Sequence, residues 1–327
     1  MEVLPTYMDV EHSRAYIDQL YSNDYQKCFQ AVSELKFAVI GSVREKGSII
    51  EQGVVVRLIQ ILGSGDLDIV LKTEVVTVLN SLAKGLQEHA AALVQAGLLP
   101  VLWEQLESPS GGINCNNPAY TQMVLCCLRS IYRQGCATPP PSWDHKLLST
   151  LIHHGYHPPS NQECVANILA HACKCVGVGG LTNSSVALQT SEQQQQLVDA
   201  GGADLVACML CSSVTRVQLP ATHCLAAMCY NNEKVSAIIA TKSYGGKSVP
   251  DLLVGLMARD RPRDMQLAAA TALTFLHRAG AMSADDPKVI FKTLQCLVRM
   301  CRRDREVWER VEAANTLAYL TEVSTDL

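Results

Sequence analysis

Val78-Leu-Asn-Ser-Leu-Ala-Lys-Gly85 decides the fold, because the same knot returns five more times in altered form. It reappears as Cys127-Leu-Arg-Ser-Ile-Tyr-Arg-Gln134, Ile168-Leu-Ala-His-Ala-Cys-Lys-Cys175 and Cys224-Leu-Ala-Ala-Met-Cys-Tyr-Asn231. Ala272-Leu-Thr-Phe-Leu-His-Arg-Ala279 and Thr316-Leu-Ala-Tyr-Leu-Thr-Glu-Val323 complete the series. The starting positions differ by 49, 41, 56, 48 and 44 residues. Each knot closes a long stretch with apolar residues at helical spacing.

Glycines keep the same beat. Gly53, Gly97, Gly201 and Gly246 each precede an apolar stretch such as Leu98-Leu-Pro-Val-Leu-Trp-Glu-Gln-Leu106, and the 104-residue step from Gly97 to Gly201 spans two repeats plus an insertion. Glycine tolerates the left-handed conformation that turns one helix sharply into the next. The unit is therefore a short helix, a glycine turn, a second helix, a polar turn and a long third helix. Helical repeats of about 40–47 residues are the armadillo and HEAT classes, and the short first helix with its glycine turn favours armadillo. The expected fold is all-α: a right-handed superhelical solenoid of about six armadillo repeats over residues 23–327, after an N-terminal segment 1–22.

Three details extend this reading. Val54-Val-Val-Arg-Leu-Ile-Gln-Ile-Leu62 has a strand's propensity, yet its register with Leu98–Leu106 and Val249–Met257 predicts a helix. Pro262, after Asp260, is placed in the first turn of a third helix, where its missing N–H costs nothing. Ser108–Pro118 and Val176–Thr190 are expected as loop insertions, and the glutamine run Gln193–Gln196 as the functionless opening of a first helix.

Composition narrows the function. Hydrophobic residues make up 48% and charged ones 18%, which excludes global disorder, and the net charge of -4 argues against a nucleic-acid partner. The arginines of Arg259–Arg263 and Arg302–Arg305 alternate with Asp260, Asp264, Asp304 and Glu306, so they are expected as solvated turns of mixed sign. Fourteen cysteines in a long helical chain read as free thiols in a reducing compartment. Met1-Glu-Val-Leu-Pro-Thr-Tyr-Met-Asp-Val-Glu11 lacks the basic start and apolar run of a signal peptide, and no run of about 18 apolar residues marks a span. A soluble, intracellular chain without a membrane partner is expected.

Catalytic and metal motifs are not found. There is no G-x-S-x-G elbow, G-x-x-x-x-G-K-[ST] loop or H-E-x-x-H helix, and Gly177-Val-Gly-Gly180 follows no strand. Cys208-Met-Leu-Cys211 has C-x-x-C spacing, and His153, His154, His157, His171, Cys173 and Cys175 add possible ligands. A structural zinc needs four converging ligands, however, and no second C-x-x-C follows, so Cys208 and Cys211 are expected to pack as small hydrophobes inside a second helix. Cys126, Cys127, Cys296 and Cys301 are likewise expected in the core. The prediction is a non-enzyme without cofactor or metal.

The recognition surface is expected on the third helices, which line the concave face of such arrays. Importin-like armadillo proteins carry a Trp and, four residues on, an Asn there. Aligning the knots puts other residues in those slots, which disfavours nuclear-import cargo. The candidate groove contacts are Thr77, Ser81, Ser130, Asn167, His171, His223, Thr271, Phe275, Asn315 and Tyr319.

One family resemblance is specific. Leu71-Lys-Thr-Glu-Val-Val-Thr-Val-Leu-Asn-Ser-Leu-Ala-Lys-Gly85, Met265-Gln-Leu267, Arg278-Ala-Gly-Ala-Met-Ser-Ala-Asp-Asp286, Lys292-Thr-Leu-Gln-Cys-Leu-Val-Arg-Met-Cys301 and Glu309-Arg-Val-Glu-Ala-Ala-Asn-Thr-Leu-Ala-Tyr-Leu320 closely resemble the armadillo repeat-containing protein 8 family. The resemblance runs from about Tyr16 onward and is to the family's N-terminal half. It implies a non-catalytic scaffold subunit of the GID/CTLH multi-subunit ubiquitin ligase, in cytoplasm and nucleus, whose partners are the ligase core scaffold subunits. With the family's later repeats missing, recruitment of the substrate receptor is not expected. The alternative is an adaptor of the catenin or importin kind. The final helix, expected over Arg305–Leu320, carries Val307, Val311, Ala314 and Leu317–Leu320 at apolar spacing, so an open apolar face is expected there.

Overall fold

The computed structural model describes residues 17–65, 67–107, 117–135, 145–156, 158–172, 184–283 and 285–321. They fall into two compact units, residues 1–138 and 139–327. Each has the repeat architecture expected of a single run over 23–327.

The first unit contains α1 (Tyr25–Val39), α2 (Val43–Glu51), α3 (Val54–Gly63), α4 (Ile69–Ala83), α5 (Gln87–Gln95), α6 (Leu98–Glu107) and α7 (Pro118–Arg133). Helices α1, α4 and α7 are the long third helices, and they stack in that order. α1 is one third helix more than the knots announce. Local chemistry sets the starts: Asp24 accepts the N–H of Gln26 at 2.9 Å, Ser42 that of Glu45 at 3.1 Å, and Asn117 those of Ala119 and Tyr120 at 3.0 and 3.2 Å. Each satisfies donors that a helix N-terminus leaves open. Pro118, expected in a loop, sits at the first turn of α7. The strand-like Val54–Leu62 is helical as predicted, because Val54, Val55, Leu58, Ile59, Ile61 and Leu62 all enter the core from one broad face. Gly53 makes the preceding corner at φ 75°.

The second unit contains α8 (His145–Gly155), α9 (Pro159–Ala172), α10 (Ser184–Asp199), α11 (Gly202–Leu210), α12 (Thr215–Cys229) and α13 (Glu233–Thr241). It continues with β1 (Ser243–Tyr244), β2 (Lys247–Ser248), α14 (Val249–Leu256), α15 (Arg263–Arg278), a π-helical stretch Lys288–Thr293, α16 (Leu294–Met300) and α17 (Val307–Thr321). The third helices α9, α12, α15 and α17 pack successively.

Four expectations change here. Gly246 is not a plain helix-to-helix glycine turn: it closes a small hairpin in which Ser243 pairs with Ser248 and Tyr244 with Lys247. Gly245 and Gly246 have φ of 59° and 77°, the paired positive values of a two-residue hairpin turn. Pro262 is the residue before α15, one place outside the first turn. Ser184–Thr190 is helix, the start of α10, and not loop; residues 108–116 and 176–183 of the two expected insertions lie outside the described residues. Gln194 is structural, being buried with its Nε2 donating to the carbonyls of Ala227 and Tyr230 at 2.7 and 3.2 Å. Its Oε1 accepts from Asn232 Nδ2 at 2.8 Å, so one side chain fastens α10 to the end of α12.

Candidate protein-binding surface

In the first unit the third helices share a face whose polar groups are mostly used internally. Thr77 is half-buried, with its hydroxyl donating to the carbonyl of Thr73 at 2.8 Å. Ser81 Oγ donates at 3.1 Å to Val39, a carbonyl at the open end of α1. Ser130 is only 6% exposed, and its hydroxyl donates to Asn80 Oδ1 at 2.8 Å and the Cys126 carbonyl at 2.9 Å. Ser130 therefore seals α4 against α7 and is withdrawn as a groove contact. A buried hydroxyl is expected to be spent in this way, because leaving it unpaired costs more than the bond returns.

In the second unit the same face is differently furnished. On α9, Asn167 Nδ2 donates to the Glu163 carbonyl at 2.7 Å and His171 Nδ1 lies 2.8 Å from the Asn167 carbonyl. His223 of α12 is half-buried and Asn315 of α17 exposed. Thr271 Oγ1 lies 3.3 Å from Thr316 Oγ1, joining α15 to α17.

Phe275 and Tyr319 come together with Tyr230, which the knot alignment passed over. Ring centroids are 5.1 Å apart for Tyr230–Phe275, 5.4 Å for Phe275–Tyr319 and 6.0 Å for Tyr230–Tyr319. The Arg278 guanidinium stands 5.2 Å over the Tyr319 ring, and the Tyr319 hydroxyl donates to Asn231 Oδ1. Asn231 holds φ 49°, a conformation unusual outside glycine but best tolerated by Asn and Asp. All three rings are half-buried, so this is a rigid amphipathic patch built by three successive repeats. Aromatic and arginine side chains are what protein interfaces select as anchors. Tyr230 was legible as the residue seven places after the candidate His223, the spacing that keeps one helical face.

The sulfur chemistry favours protonated thiols. No disulfide joins the ten described cysteines. Burial pushes the Cys229 thiol up to about 12, and it also raises those of Cys127, Cys296 and Cys301. Cys127 and Cys296 are core residues as expected, but Cys126 and Cys301 are half-buried. Cys208 is half-buried too, and Cys211 is exposed at the end of α11 with its thiol 3.9 Å from the Tyr244 carbonyl, so this pair is not the packed core expected of it. Among the described residues no three His, Cys, Asp or Glu side chains are placed to hold a metal; His157, Cys173 and Cys175 lie outside them, as does Gly177-Val-Gly-Gly180. No described helix is long and apolar enough to cross a membrane.

No family model matches the sequence. Among solved structures, a designed armadillo repeat protein is similar with a TM-score of 0.60 at 18% identity, covering 80% of this chain and 98% of that one. Another designed armadillo repeat protein, in complex with the peptide (KR)4, is similar with a TM-score of 0.51 at 16% identity, covering 93% and 98%. Both likenesses speak for the armadillo fold. Armadillo repeat-containing protein 8 of Danio rerio is 34% identical over 321 residues, 96% of this chain and 44% of the relative. The Mus musculus protein of that name gives 34% over the same shares. The chain thus spans less than half the length of these curated relatives. It is an armadillo-repeat chain homologous, over nearly all of its own length, to armadillo repeat-containing protein 8.

Proposed function

We propose that this chain is a non-catalytic scaffold subunit of a multi-subunit ubiquitin ligase of the GID/CTLH type, working in cytoplasm and nucleus. The observation that carries the reading is the homology over 96% of the chain to armadillo repeat-containing protein 8. The geometry fits a scaffold: stacked third helices present half-buried polar and aromatic side chains, and the thiols resolved as shifted are all raised away from the nucleophilic thiolate. Partner contact is assigned to the second unit's face, with Phe275 and Tyr319 as anchors and Thr271, His223 and Asn315 beside them. The first unit's Thr77 and Ser81 are minor contacts, since their hydroxyls already serve the fold.

Co-precipitation of the full chain with the ligase core scaffold subunits, run in parallel with the substrate receptor, tests this. Recovery of the core is expected. Recovery of the receptor without the core reverses the assignment, and recovery of neither returns the chain to a general armadillo adaptor.

A further inference from the structure

Read as sequence, the two arginine-rich turns cancel against their own acids. In three dimensions the signs separate. The turn before α15 and the turn after α16 face each other across a cleft of about 950 Å³. Its lining includes Arg259, Arg261, Arg263, Arg299, Arg302 and Arg305 and no carboxylate. The neighbouring acids lie outside it: Asp260, Asp264, Asp304 and Glu306 do not line the cleft, and buried Glu309 accepts the Glu306 N–H at 3.2 Å while lying 3.8 Å from Arg263 Nη1.

The cleft is held in place from beneath. Gln266 is 4% exposed; its Nε2 donates to the Arg261 carbonyl at 2.7 Å, and its Oε1 accepts from Arg299 Nη2 at 2.6 Å. One buried amide therefore fixes a turn of one repeat and a guanidinium of the next. Arg305 lines the cleft from the turn after α16, with its Nε buried and the residue half-buried.

We propose that this cleft binds a phosphorylated segment of a partner protein. Arginine forks match phosphate oxygens in pairs, and a phosphate monoester brings a charge of about −1.5 to −2 with three acceptors. Clustered arginines are a general device for reading such groups in proteins. A polypeptide fits better than nucleic acid because the positive field is confined to one cleft of a chain with net charge -4. Exposed Leu294 and Val298 at the cleft, with Phe291 one turn earlier, offer apolar contacts to the residues flanking the phosphate.

The test is fluorescence polarisation with the full chain. The probes are a labelled phosphoserine peptide flanked by leucines, its unphosphorylated form, a leucine-free phosphopeptide and inositol hexakisphosphate. The leucine-flanked phosphopeptide should bind at least about tenfold more tightly than either other peptide, and inositol hexakisphosphate should compete poorly. Arg261→Glu and Arg302→Glu, both exposed, should each weaken it by about tenfold. Arg303→Glu, an exposed neighbour outside the lining with the same charge change, should leave it within about twofold. Equal binding of phosphorylated and unphosphorylated peptide overturns the proposal. So does an equal loss with Arg303→Glu, which would reduce the effect to overall charge. Tight inositol hexakisphosphate binding with no preference between the two phosphopeptides also overturns it, in favour of a soluble anion. None of these readouts depends on ligase association, so this site and the proposed function stand or fall separately.

Discussion

The third-helix faces of the two units share a register and differ in what they do with it. In the first unit, Ser81 and Ser130 turn inward and tie α1 to α4 and α4 to α7. In the second, equivalent places on α15 and α17 carry Phe275 and Tyr319, which gather Tyr230 and Arg278 into a half-buried aromatic patch. The repeat pattern fixes where a side chain sits on the stack. Its size and chemistry then decide whether it closes the stack or stays at its surface. Small hydroxyls can be satisfied by the neighbouring helix, whereas rings too large to submerge keep an exposed edge.

That comparison breaks first if the cores differ as much as the faces. Leu79 in α4 and Leu225 in α12 are both buried, so Leu79→Ala and Leu225→Ala should each cost about 2–5 kcal/mol by chemical denaturation. Costs differing by more than that range would mean the two stacks are not packed alike. Next comes the polar tie between repeats. Asn80→Ala strips a buried partner from Ser130 and should cost about 1–3 kcal/mol, whereas Thr271→Val, which removes the half-buried contact to Thr316, should cost about 0.5–1.5 kcal/mol. The reverse order would show that the first unit's hydroxyls are not the structural ones.

Smaller still is the aromatic patch seen as a stabiliser: Tyr319→Ala should lower the melting free energy by only about 1 kcal/mol. A loss above about 3 kcal/mol would make the patch core rather than surface. The weakest effect is electrostatic. Burial lowers the pKa of His154 in α8, with neighbouring His153 adding to the shift. A depressed folded-state pKa means the unfolded chain binds the proton more readily. The contribution is therefore present above about pH 6.5, the ordinary histidine value, and is lost as pH falls through the folded-state pKa. His154→Gln should flatten the stability of the second unit between about pH 7 and 5. An unchanged slope would put the acid sensitivity elsewhere.

Much of this was legible in the sequence, for identifiable reasons. Helix identity followed from apolar spacing and survived even the strand-like Val54–Leu62, because burial on a helical face outweighs weak β preference. The hairpin at 243–248 does not follow from the repeat position of Gly246; it follows from Gly245-Gly246 together, the pair that a two-residue turn demands. Periodic alignment puts Ser130 in the groove because the buried acceptor it finds in Asn80, fifty residues earlier, has no signal in the repeat. Tyr230 lies outside an alignment that takes only the two positions four residues apart in each repeat. The arginine turns look neutral in the sequence because it averages charges, whereas, of the charged residues in these turns, only arginines line the cleft.

Binding to the purified ligase core scaffold subunits, compared between the Phe275→Ala/Tyr319→Ala and Thr77→Ala/Ser81→Ala double variants of the full chain, tests the central claim most directly. With both variants shown to be helical by circular dichroism, the aromatic pair should weaken binding by about tenfold or more and the hydroxyl pair by less than about threefold. Equal affinities for wild type and the aromatic variant would contradict the account, because recognition would then lie off the second unit's third-helix face.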